Sequence, residues 1–279
     1  MYTVKNIFIE CACQFPNSVG NLRALIAHCC NQDVSWTFEH SNMPLSQNVY
    51  DLIKQGADAL HRGVPFARIK GYKEFFGLDF TIANTLEPRP ETELIVDSVL
   101  ENYQGGAASV LDLGVGSGCI LLSILHHATQ MTGVGVDIDA AALATASLNA
   151  QKLCLSERVS FIQTCMRQFC FSEKFHYITS NPPYIPSNEI SSLDDNVIHY
   201  DPRQSLDGGE DGLSYYRDIF NIAPLLLNDR GILVVEIGHN QYDAIKKIAL
   251  WDVRCCLIKV QKDLQGFDRC LIFRYNIEN

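Results

Sequence analysis

Residues 109–118 read Ser-Val-Leu-Asp-Leu-Gly-Val-Gly-Ser-Gly. Its apolar first half is typical of a buried strand, whereas residues 119–125, which are rich in leucine and isoleucine, are typical of a helix. Glycines between a strand and a helix let a ligand approach the backbone closely, with the positive end of the helix behind it. The stretch therefore predicts one strand–turn–helix unit of an α/β sheet, with a nucleotide-like ligand at its turn.

The next predicted strand, 133–137, ends in a carboxylate, Asp137. A carboxylate about 20 residues after a glycine-rich turn can accept hydrogen bonds from the two hydroxyls of a ribose. The glycines are spaced G-x-G-x-G, which differs from the G-x-G-x-x-G of dinucleotide-binding proteins. This spacing favours a nucleoside ligand without a pyrophosphate, and hence S-adenosylmethionine over NAD.

Strands continue to alternate with helices along the rest of the chain. The predicted strands are 109–113, 133–137, 158–163, 175–180, 231–237, 253–260 and 269–275. Seven strands with intervening helices predict an open doubly wound sheet, in which ligands lie beyond the carboxyl ends of the strands. The glycine-rich turn, Asp137 and Asn181 all follow predicted strand ends, so we expect one crevice to contain all three.

The run Asn181-Pro182-Pro183-Tyr184 predicts a pocket for one flat NH2 group, either a planar amide or an aromatic amine. The amide oxygen of Asn181 can accept one N–H. The ring of Pro183 biases Pro182 toward extended geometry, which turns the Pro182 carbonyl outward to accept the second N–H. Tyr184 can cover the flat face of the group. The alternative is a proline-rich turn without a binding role.

With these two motifs, the chain resembles the protein-(glutamine-N5) methyltransferases that modify peptide chain release factors, from about Gly71 to its end. Further matching segments are 71–80 (Gly-Tyr-Lys-Glu-Phe-Phe-Gly-Leu-Asp-Phe), Arg89-Pro90-Glu91-Thr92-Glu93, Tyr200-Asp201-Pro202-Arg203 with Ser205-Leu206, Glu236-Ile237-Gly238-His239, and 263–269 (Asp-Leu-Gln-Gly-Phe-Asp-Arg). The Asn-Pro-Pro-Tyr run alone is shared with N6-adenine methyltransferases. Its combination with Arg-Pro-Glu-Thr-Glu is far more specific.

The resemblance implies a seven-stranded Rossmann-like class I methyltransferase sheet. It implies methyl transfer from S-adenosylmethionine to the side-chain amide nitrogen of the Gln in the Gly-Gly-Gln motif of class 1 release factors. The implied cofactor-binding residues are Gly114, Val115, Gly116, Ser117, Gly118, Asp137, Met166 and Asn181. The implied substrate-binding residues are Asn181, Pro182, Pro183, Tyr184, Arg89 and Glu91, and the catalytic residues among them are Asn181, Pro182 and Tyr184.

The chain departs from the family pattern at two places. The family commonly has an acidic residue and then an aromatic one after the third strand, where this chain has Cys165 and Met166. Met166 can pack against an adenine face, but a thiol cannot replace a carboxylate as acceptor for the adenine amine. Glu87 stands where the family often has an apolar residue.

Three segments are predicted along the chain. Residues 1–70 are expected to form a helical domain, because Leu22, Leu25 and Ile26, and later Val49, Leu52 and Ile53, fall at helical spacing. Residues 71–86 are expected to form a hairpin linker, and residues 87–279 the methyltransferase domain. The resemblance implies that the helical domain docks the protein substrate. Pro90 with its acidic neighbours is also what any helix start contains, which is the plain alternative for Arg89–Glu93.

Composition and charge restrict the function further. The formal net charge is −10; residues 1–86 carry 7 basic and 7 acidic side chains, which leaves 15 basic and 25 acidic ones in 87–279. This excess opposes long-range attraction to nucleic acid, so no nucleic-acid substrate is expected. The eleven cysteines include no C-x-x-C pair, and no metal site is expected. The odd cysteine number and the lack of a targeting or membrane segment predict a cytoplasmic protein, which we expect to be a monomer.

Two other interpretations stay open. An N6-adenine methyltransferase would use the same four-residue pocket for an extruded base, but it should carry a basic face or a target-recognition domain. A non-catalytic scaffold could keep the cofactor fold, although the intact motifs speak against decay. The segment 208–212, Gly-Gly-Glu-Asp-Gly, is expected to be a solvated acidic loop, with a border of the substrate cleft as the alternative.

Overall fold

A computed structural model describes residues 2–277. Residue 1 of the predicted helical domain and residues 278–279 of the predicted methyltransferase domain lie outside the described residues. The chain divides into two compact units. The first comprises Met1–Tyr72 and Asp194–Tyr200, and the second comprises Lys73–Leu193 and Asp201–Asn279. The helical region thus draws one short segment from much later in the sequence.

The helices and strands have the following bounds. The helices are α1 (Val4–Gln14), α2 (Val19–Cys29), α3 (Trp36–Glu39), α4 (Gln47–His61), α5 (Phe66–Lys70), α6 (Glu93–Asn102), α7 (Cys119–His127), α8 (Ala140–Lys152), α9 (Asp195–Tyr200), α10 (Ser214–Leu226) and α11 (Tyr242–Ala249). The strands are β1 (Tyr72–Phe75), β2 (Leu78–Thr81), β3 (Ala108–Leu113), β4 (Met131–Asp137), β5 (Val159–Gln163), β6 (Phe175–Ser180), β7 (Leu227–Glu236), β8 (Cys255–Lys262) and β9 (Asp268–Tyr275).

The first unit is helical, as predicted. Leu22, Leu25 and Ile26 of α2 are buried in its core, together with Ile53 of α4. Leu52 lies in α4, as its helical spacing predicted, but its side chain is 51% exposed. Apolar residues at helical spacing define a face of the helix, and Leu52 lies at the rim of that face rather than within it.

The predicted hairpin is the two-stranded sheet of β1 and β2. Phe76 and Gly77 connect the strands, and both have left-handed backbone angles, with φ of 51° and 73°. Two consecutive left-handed residues make the tight turn whose twist matches that of the flanking strands.

The second unit contains the predicted seven-stranded sheet, in the order β5-β4-β3-β6-β7-β9-β8. The strands from β5 to β7 pair in parallel, and β9 is antiparallel to both β7 and β8. The start of β7 differs from the prediction of residue 231. Leu227 already pairs with Phe175, and the register then shifts before Ile232. Residues 228–231 form this irregularity and have the polar, glycine-containing composition of a turn. The sequence pattern therefore does not show that the strand begins before them.

Successive side chains of the central strands point to opposite faces of the sheet. Ile232 and Val234 of β7 belong to a core shared with α6, α7 and α8, whereas Leu233 and Val235 belong to one shared with α10 and α11. Helices therefore cover both faces, as in a doubly wound sheet. This three-layer arrangement leaves the carboxyl ends of β3, β4, β5 and β6 at one edge, where loops can form a site.

Candidate active site

A cavity lies beyond the carboxyl ends of the parallel strands. It is lined by residues of six loops, of the end of β4 and of the first turns of α8 and α10: Asn84, Thr85, Leu86, Gly114, Gly116, Val136, Asp137, Ile138, Asp139, Ala142, Thr164, Cys165, Met166, Asn181, Pro183, Pro202, Gln204, Ser205 and Tyr215. The loops after β3, β4, β5 and β6 all contribute. The structure thus brings the glycine-rich turn, Asp137, Met166 and Asn181 to one cavity.

The glycine-rich turn presents backbone without side chains to this cavity. Gly114 and Gly116 have φ of 77° and 54°. Apart from each glycine and its two chain neighbours, no atom of the described residues lies within 4 Å of the position that a Cβ would take. The turn is held from behind, because the Gly114 N–H donates to the Val136 carbonyl at 2.8 Å. The result is a cradle that any side chain on these two glycines would fill.

Three of the predicted turn residues do not line the cavity. Val115 and Ser117 are buried, with 4% and 3% of their surface exposed. Gly118 stands at the N-cap of α7, where a Cβ would lie 3.0 Å from a methyl group of Leu122. These residues shape the turn rather than face the cavity.

The Asp137 carboxylate is oriented by two backbone N–H groups. Oδ2 accepts from Gly116 at 2.9 Å, and Oδ1 accepts from Asp139 at 3.0 Å. Each carboxylate oxygen has two lone pairs, so both retain an acceptor position after these bonds. A fixed, partly buried carboxylate with two remaining acceptor positions suits a pair of neighbouring hydroxyls.

The wall beyond β5 is mostly apolar. Cys165 and Met166 lie on it with Ile138 and Ala142. Met166 also packs against the core that α10 and α11 share with the sheet. Such a surface suits a flat aromatic group, which gains contact area there without needing a charged partner.

The Asn181 side chain is held by a hydrogen-bond chain that was not predicted as part of the site. Its Nδ2 donates to the Thr92 hydroxyl at 3.1 Å, and that hydroxyl donates to Glu236 Oε2 at 2.6 Å. The Tyr184 hydroxyl donates to the other oxygen of Glu236 at 3.4 Å. Thr92 and Glu236 occur in the matching segments quoted above, but nothing in the sequence itself shows that they meet at Asn181.

Glu236 is buried beneath this chain. Burial raises the pKa of its carboxyl to about 7, and the bond from Thr92 and the charge of Arg269 only partly oppose that rise. Burial likewise raises the pKa of Tyr184, with the Glu236 charge acting in the same direction. A carboxyl this far from water, hydrogen-bonded to two side chains of predicted site segments, is a candidate functional group.

The predicted substrate residues Arg89 and Glu91 lie outside the cavity lining. Arg89 donates to Asp201 at 2.7 Å, which joins the Arg-Pro-Glu-Thr-Glu segment to the Tyr-Asp-Pro-Arg segment. Glu87, which stands where the family often has an apolar residue, forms an ion pair in which Lys73 donates to its carboxylate at 2.8 Å. Pro182 and Tyr184 also lie outside the lining, whereas Pro183 forms part of it.

The expectation of a solvated loop at 208–212 is wrong for its first and last glycines. Gly208 is buried, and a Cβ on it would lie 2.8 Å from the Tyr184 Cα and 2.9 Å from the Pro183 carbonyl oxygen. Gln241 ties the same region together by donating to the carbonyls of Tyr184 at 2.9 Å and Gly212 at 3.2 Å. The loop therefore supports the backbone of Asn181–Tyr184, and only its acidic tip faces water.

The described residues contain no group of three or more His, Cys, Asp or Glu side chains arranged to hold a metal ion. Among the helices of residues 2–277, none has the length and apolar character that crossing a bilayer requires.

Comparison with known sequences gives one consistent family. Residues 90–210 match the family described as "Methyltransferase small domain". Three curated relatives are each named "Release factor glutamine methyltransferase". The one from Rhodospirillum rubrum is 41% identical and covers 75% of this chain, but this chain covers only 64% of that relative. The relative from Agrobacterium fabrum is 39% identical, over 83% of this chain and 81% of its own. The one from Bradyrhizobium diazoefficiens is 38% identical, over 94% and 89%.

Solved structures agree on the fold. A methyltransferase from Pyrococcus furiosus has a TM-score of 0.55 at 18% identity, over 74% of this chain and 92% of that one. A ribosomal protein L11 methylase from Lactobacillus delbrueckii subsp. bulgaricus has a TM-score of 0.50 at 16% identity, over 74% and 90%. The predicted Rossmann-like methyltransferase sheet is confirmed.

Proposed function

This chain belongs to the release factor glutamine methyltransferase family, and we propose that it methylates the side-chain amide nitrogen of the Gln in the Gly-Gly-Gln motif of class 1 release factors. Family membership makes it a methyltransferase. S-adenosylmethionine is the proposed methyl donor, and the cavity at the ends of the parallel strands is the proposed site.

The cavity fits this donor in three ways. The space in front of Gly114 and Gly116 admits a ligand against bare backbone. The remaining acceptor positions of Asp137 suit the ribose hydroxyls, and the apolar wall at Cys165 and Met166 suits the adenine ring. When bound, S-adenosylmethionine would supply a methyl group attached to a sulfonium sulfur, and the rest of the donor would leave as a neutral thioether.

The orientation of the Asn181 side chain is the observation that best supports an amide as the substrate. Its NH2 is bound to Thr92, so its oxygen is turned away from Thr92 and is available as an acceptor at the cavity. We propose that this oxygen and the Pro182 carbonyl accept the two N–H groups of the substrate amide, and that the Tyr184 ring covers its plane. An amide with both N–H groups held in this way has one orientation only.

These residues would assist the reaction by positioning and by electrostatics. An amide nitrogen is a poor nucleophile because its lone pair is delocalised into the carbonyl. Orientation of the reacting atoms can supply up to ~7–11 kcal/mol in favourable cases. The two acceptors also stabilise the positive charge that develops on the nitrogen as its bond to carbon forms. The nitrogen then loses one proton to water, which leaves a neutral N-methyl amide.

We further propose that the helical first unit docks the release factor, and that the protein acts as a monomer in the cytoplasm. The charge distribution supports a protein substrate over DNA or RNA, because residues 87–279 carry 25 acidic and only 15 basic side chains. Arg89 and Glu91 are the proposed substrate contacts at the edge of the site.

The proposed function is tested by methyl transfer from labelled S-adenosylmethionine to three acceptors. These are a class 1 release factor, the same factor with the Gln of its Gly-Gly-Gln motif replaced by Glu, and duplex DNA containing adenine. We expect label in the first acceptor alone, with or without a chelator. Label in the DNA together with an unmodified release factor would support the N6-adenine interpretation instead.

A further inference from the structure

We propose that Glu236 is a positioning residue that fixes, through Thr92, which end of the Asn181 amide faces the substrate. This inference rests on the proposed function for its kinetic consequences, but the arrangement itself can be tested without a substrate. Donors and acceptors are matched one to one along the side chains of Asn181, Thr92 and Glu236.

The Thr92 hydroxyl has one proton to donate. The bond from Thr92 to Glu236 Oε2 is 2.6 Å long, which is typical of a hydroxyl donating to a carboxylate. Above pH 7, where Glu236 is mainly ionised, its carboxylate oxygens can only accept, so this bond uses the Thr92 proton. Toward Asn181, the hydroxyl can then offer only a lone pair.

Asn181 must therefore present its NH2 to Thr92. The observed bond is from Nδ2 to the hydroxyl, at 3.1 Å. Because the two ends of an amide point in different directions, the oxygen is directed away, as the substrate contact requires. Without the Glu236 acceptor, the Thr92 proton could be donated to the Asn181 oxygen. The amide would then turn its NH2 toward the substrate, where it would meet another N–H donor.

Burial protects the hydrogen bonds between Asn181, Thr92 and Glu236 from competition by water. Thr92 and Glu236 are each only 2% exposed, so bulk water does not compete for their hydrogen bonds. The other oxygen of Glu236 accepts from the Tyr184 hydroxyl at 3.4 Å. One carboxylate thus accepts both from Thr92, which orients Asn181, and from the hydroxyl of Tyr184, whose ring is proposed to cover the substrate amide.

The kinetic test compares four variants with the wild type in single-turnover methyl transfer at saturating donor. Glu236→Gln should lower the rate at least tenfold, because Gln can donate as well as accept and no longer fixes the Thr92 proton. Thr92→Val, which keeps the shape and removes the hydroxyl, should cause a similar loss. Thr92→Ser keeps the hydroxyl and should regain most of the rate. The Thr92→Val/Glu236→Gln double variant should be no slower than the slower single variant, since both act through one chain.

Donor affinity should stay within about threefold of the wild type in all four variants. Fully additive losses in the double variant, or a wild-type rate in Glu236→Gln, would overturn the proposal. A purely structural role would instead predict that Glu236→Gln lowers the melting temperature and the donor affinity together with the rate.

A second measurement needs no substrate. In 15N-labelled protein, the Asn181 side-chain amide signals can be assigned by their loss in Asn181→Asp. One of these amide protons should be protected from solvent exchange in the wild type and lose at least tenfold of that protection in Glu236→Gln. Unchanged protection would contradict the orienting role. If the wild type methylates no release factor but the protection behaves as expected, the proposed function fails while the orienting role stands.

Discussion

Asn181 is the residue whose replacement separates catalysis from binding. Asn181→Ala removes the only replaceable acceptor of the proposed pair, because the second acceptor is the backbone carbonyl of Pro182. Loss of one preorganised contact to a transition state can cost ~10²–10³ in rate. An ordinary hydrogen bond contributes only about 0.5–1.5 kcal/mol. Single-turnover methyl transfer should fall by the larger factor, while donor affinity changes less than a few-fold.

The matched control is Asn102→Ala, which removes an amide hydrogen bond of similar geometry, from Nδ2 to the Ser98 carbonyl at 2.9 Å, at the end of α6. This variant should keep the wild-type rate. A near-wild-type rate for Asn181→Ala itself would mean that Asn181–Tyr184 is only a turn, and the proposed mechanism would be wrong.

Glu236 should also leave a signature in the pH dependence of stability. Its pKa is raised from an ordinary value of 4.5 to about 7 in the folded protein. Between these values the folded state binds a proton that the unfolded state has released, so the free energy of unfolding falls as pH rises from about 4.5 to about 7. Glu236→Gln removes this loss. The free energy of unfolding of the variant minus that of the wild type should therefore rise by on the order of 1–3 kcal/mol between pH 4.5 and pH 8.

Denaturant titration at the two pH values measures this gain. Several groups act on the Glu236 carboxyl, namely Thr92, Arg269, Glu91 and Tyr184, and comparison of the variant with the wild type at each pH retains them in both proteins. Asp112, whose burial also raises its pKa to about 7, cancels in the same comparison. The exposed Glu173→Gln variant serves as control and should show little difference. A difference in free energy of unfolding between variant and wild type that is the same at both pH values would refute the raised pKa of Glu236.

At the scale of elements, the turn between β3 and α7 should be sensitive to a single methyl group. Gly114→Ala places a Cβ in the cradle and forces a left-handed conformation on Ala, which costs roughly 1–2 kcal/mol. Gly105→Ala is the matched control, because Gly105 has a similar φ of 85° and equally open surroundings in a loop before β3. Both variants should lose similar stability.

Calorimetric titration with S-adenosylmethionine should distinguish these two variants. We expect Gly114→Ala to bind at least tenfold more weakly than the wild type, and Gly105→Ala to bind as the wild type does. Equal affinities for both variants would show that the donor does not approach this turn.

The elements of the site could be predicted to different degrees. Gly114, Gly116 and Asp137 follow strand ends, so a local pattern sufficed to bring them to one cavity. Thr92 and Glu236 could not be found in this way, because they come from a short helical turn and from β7, far apart in sequence, and only folding joins them. The support of Tyr184 by Gly208 was missed for the same reason. Glycine-rich acidic segments are usually solvated, and only close packing reveals the exception.

At the scale of the whole molecule, the helical first unit is proposed to dock the protein substrate. Deletion of residues 1–70 should leave donor affinity within a few-fold, because the donor cavity is lined by residues of the second unit alone. Methylation of an intact release factor should fall by at least tenfold. Circular dichroism establishes that the remaining chain is folded. A folded truncation with undiminished methylation would exclude the docking role.

The division of the chain illustrates what the sequence pattern leaves out. Alternation of strands and helices after residue 109 predicted all seven strands of the sheet, because each strand is apolar and bounded by turn residues. The same reasoning placed the helical region before residue 71 but not the return of Asp194–Tyr200 to that unit. A short polar helix carries too weak a pattern to show which core it joins.

The Asn181 pocket is proposed to direct a methyl group to one amide nitrogen. Peptide mapping by tandem mass spectrometry of a class 1 release factor, treated with the protein and S-adenosylmethionine, tests it most directly. We predict one added methyl group on the Gln of the Gly-Gly-Gln motif with the wild type, and an unmodified Gln with Asn181→Ala under the same conditions. Methylation of any other side chain, or equal modification by the Asn181→Ala variant, would exclude this role for the pocket.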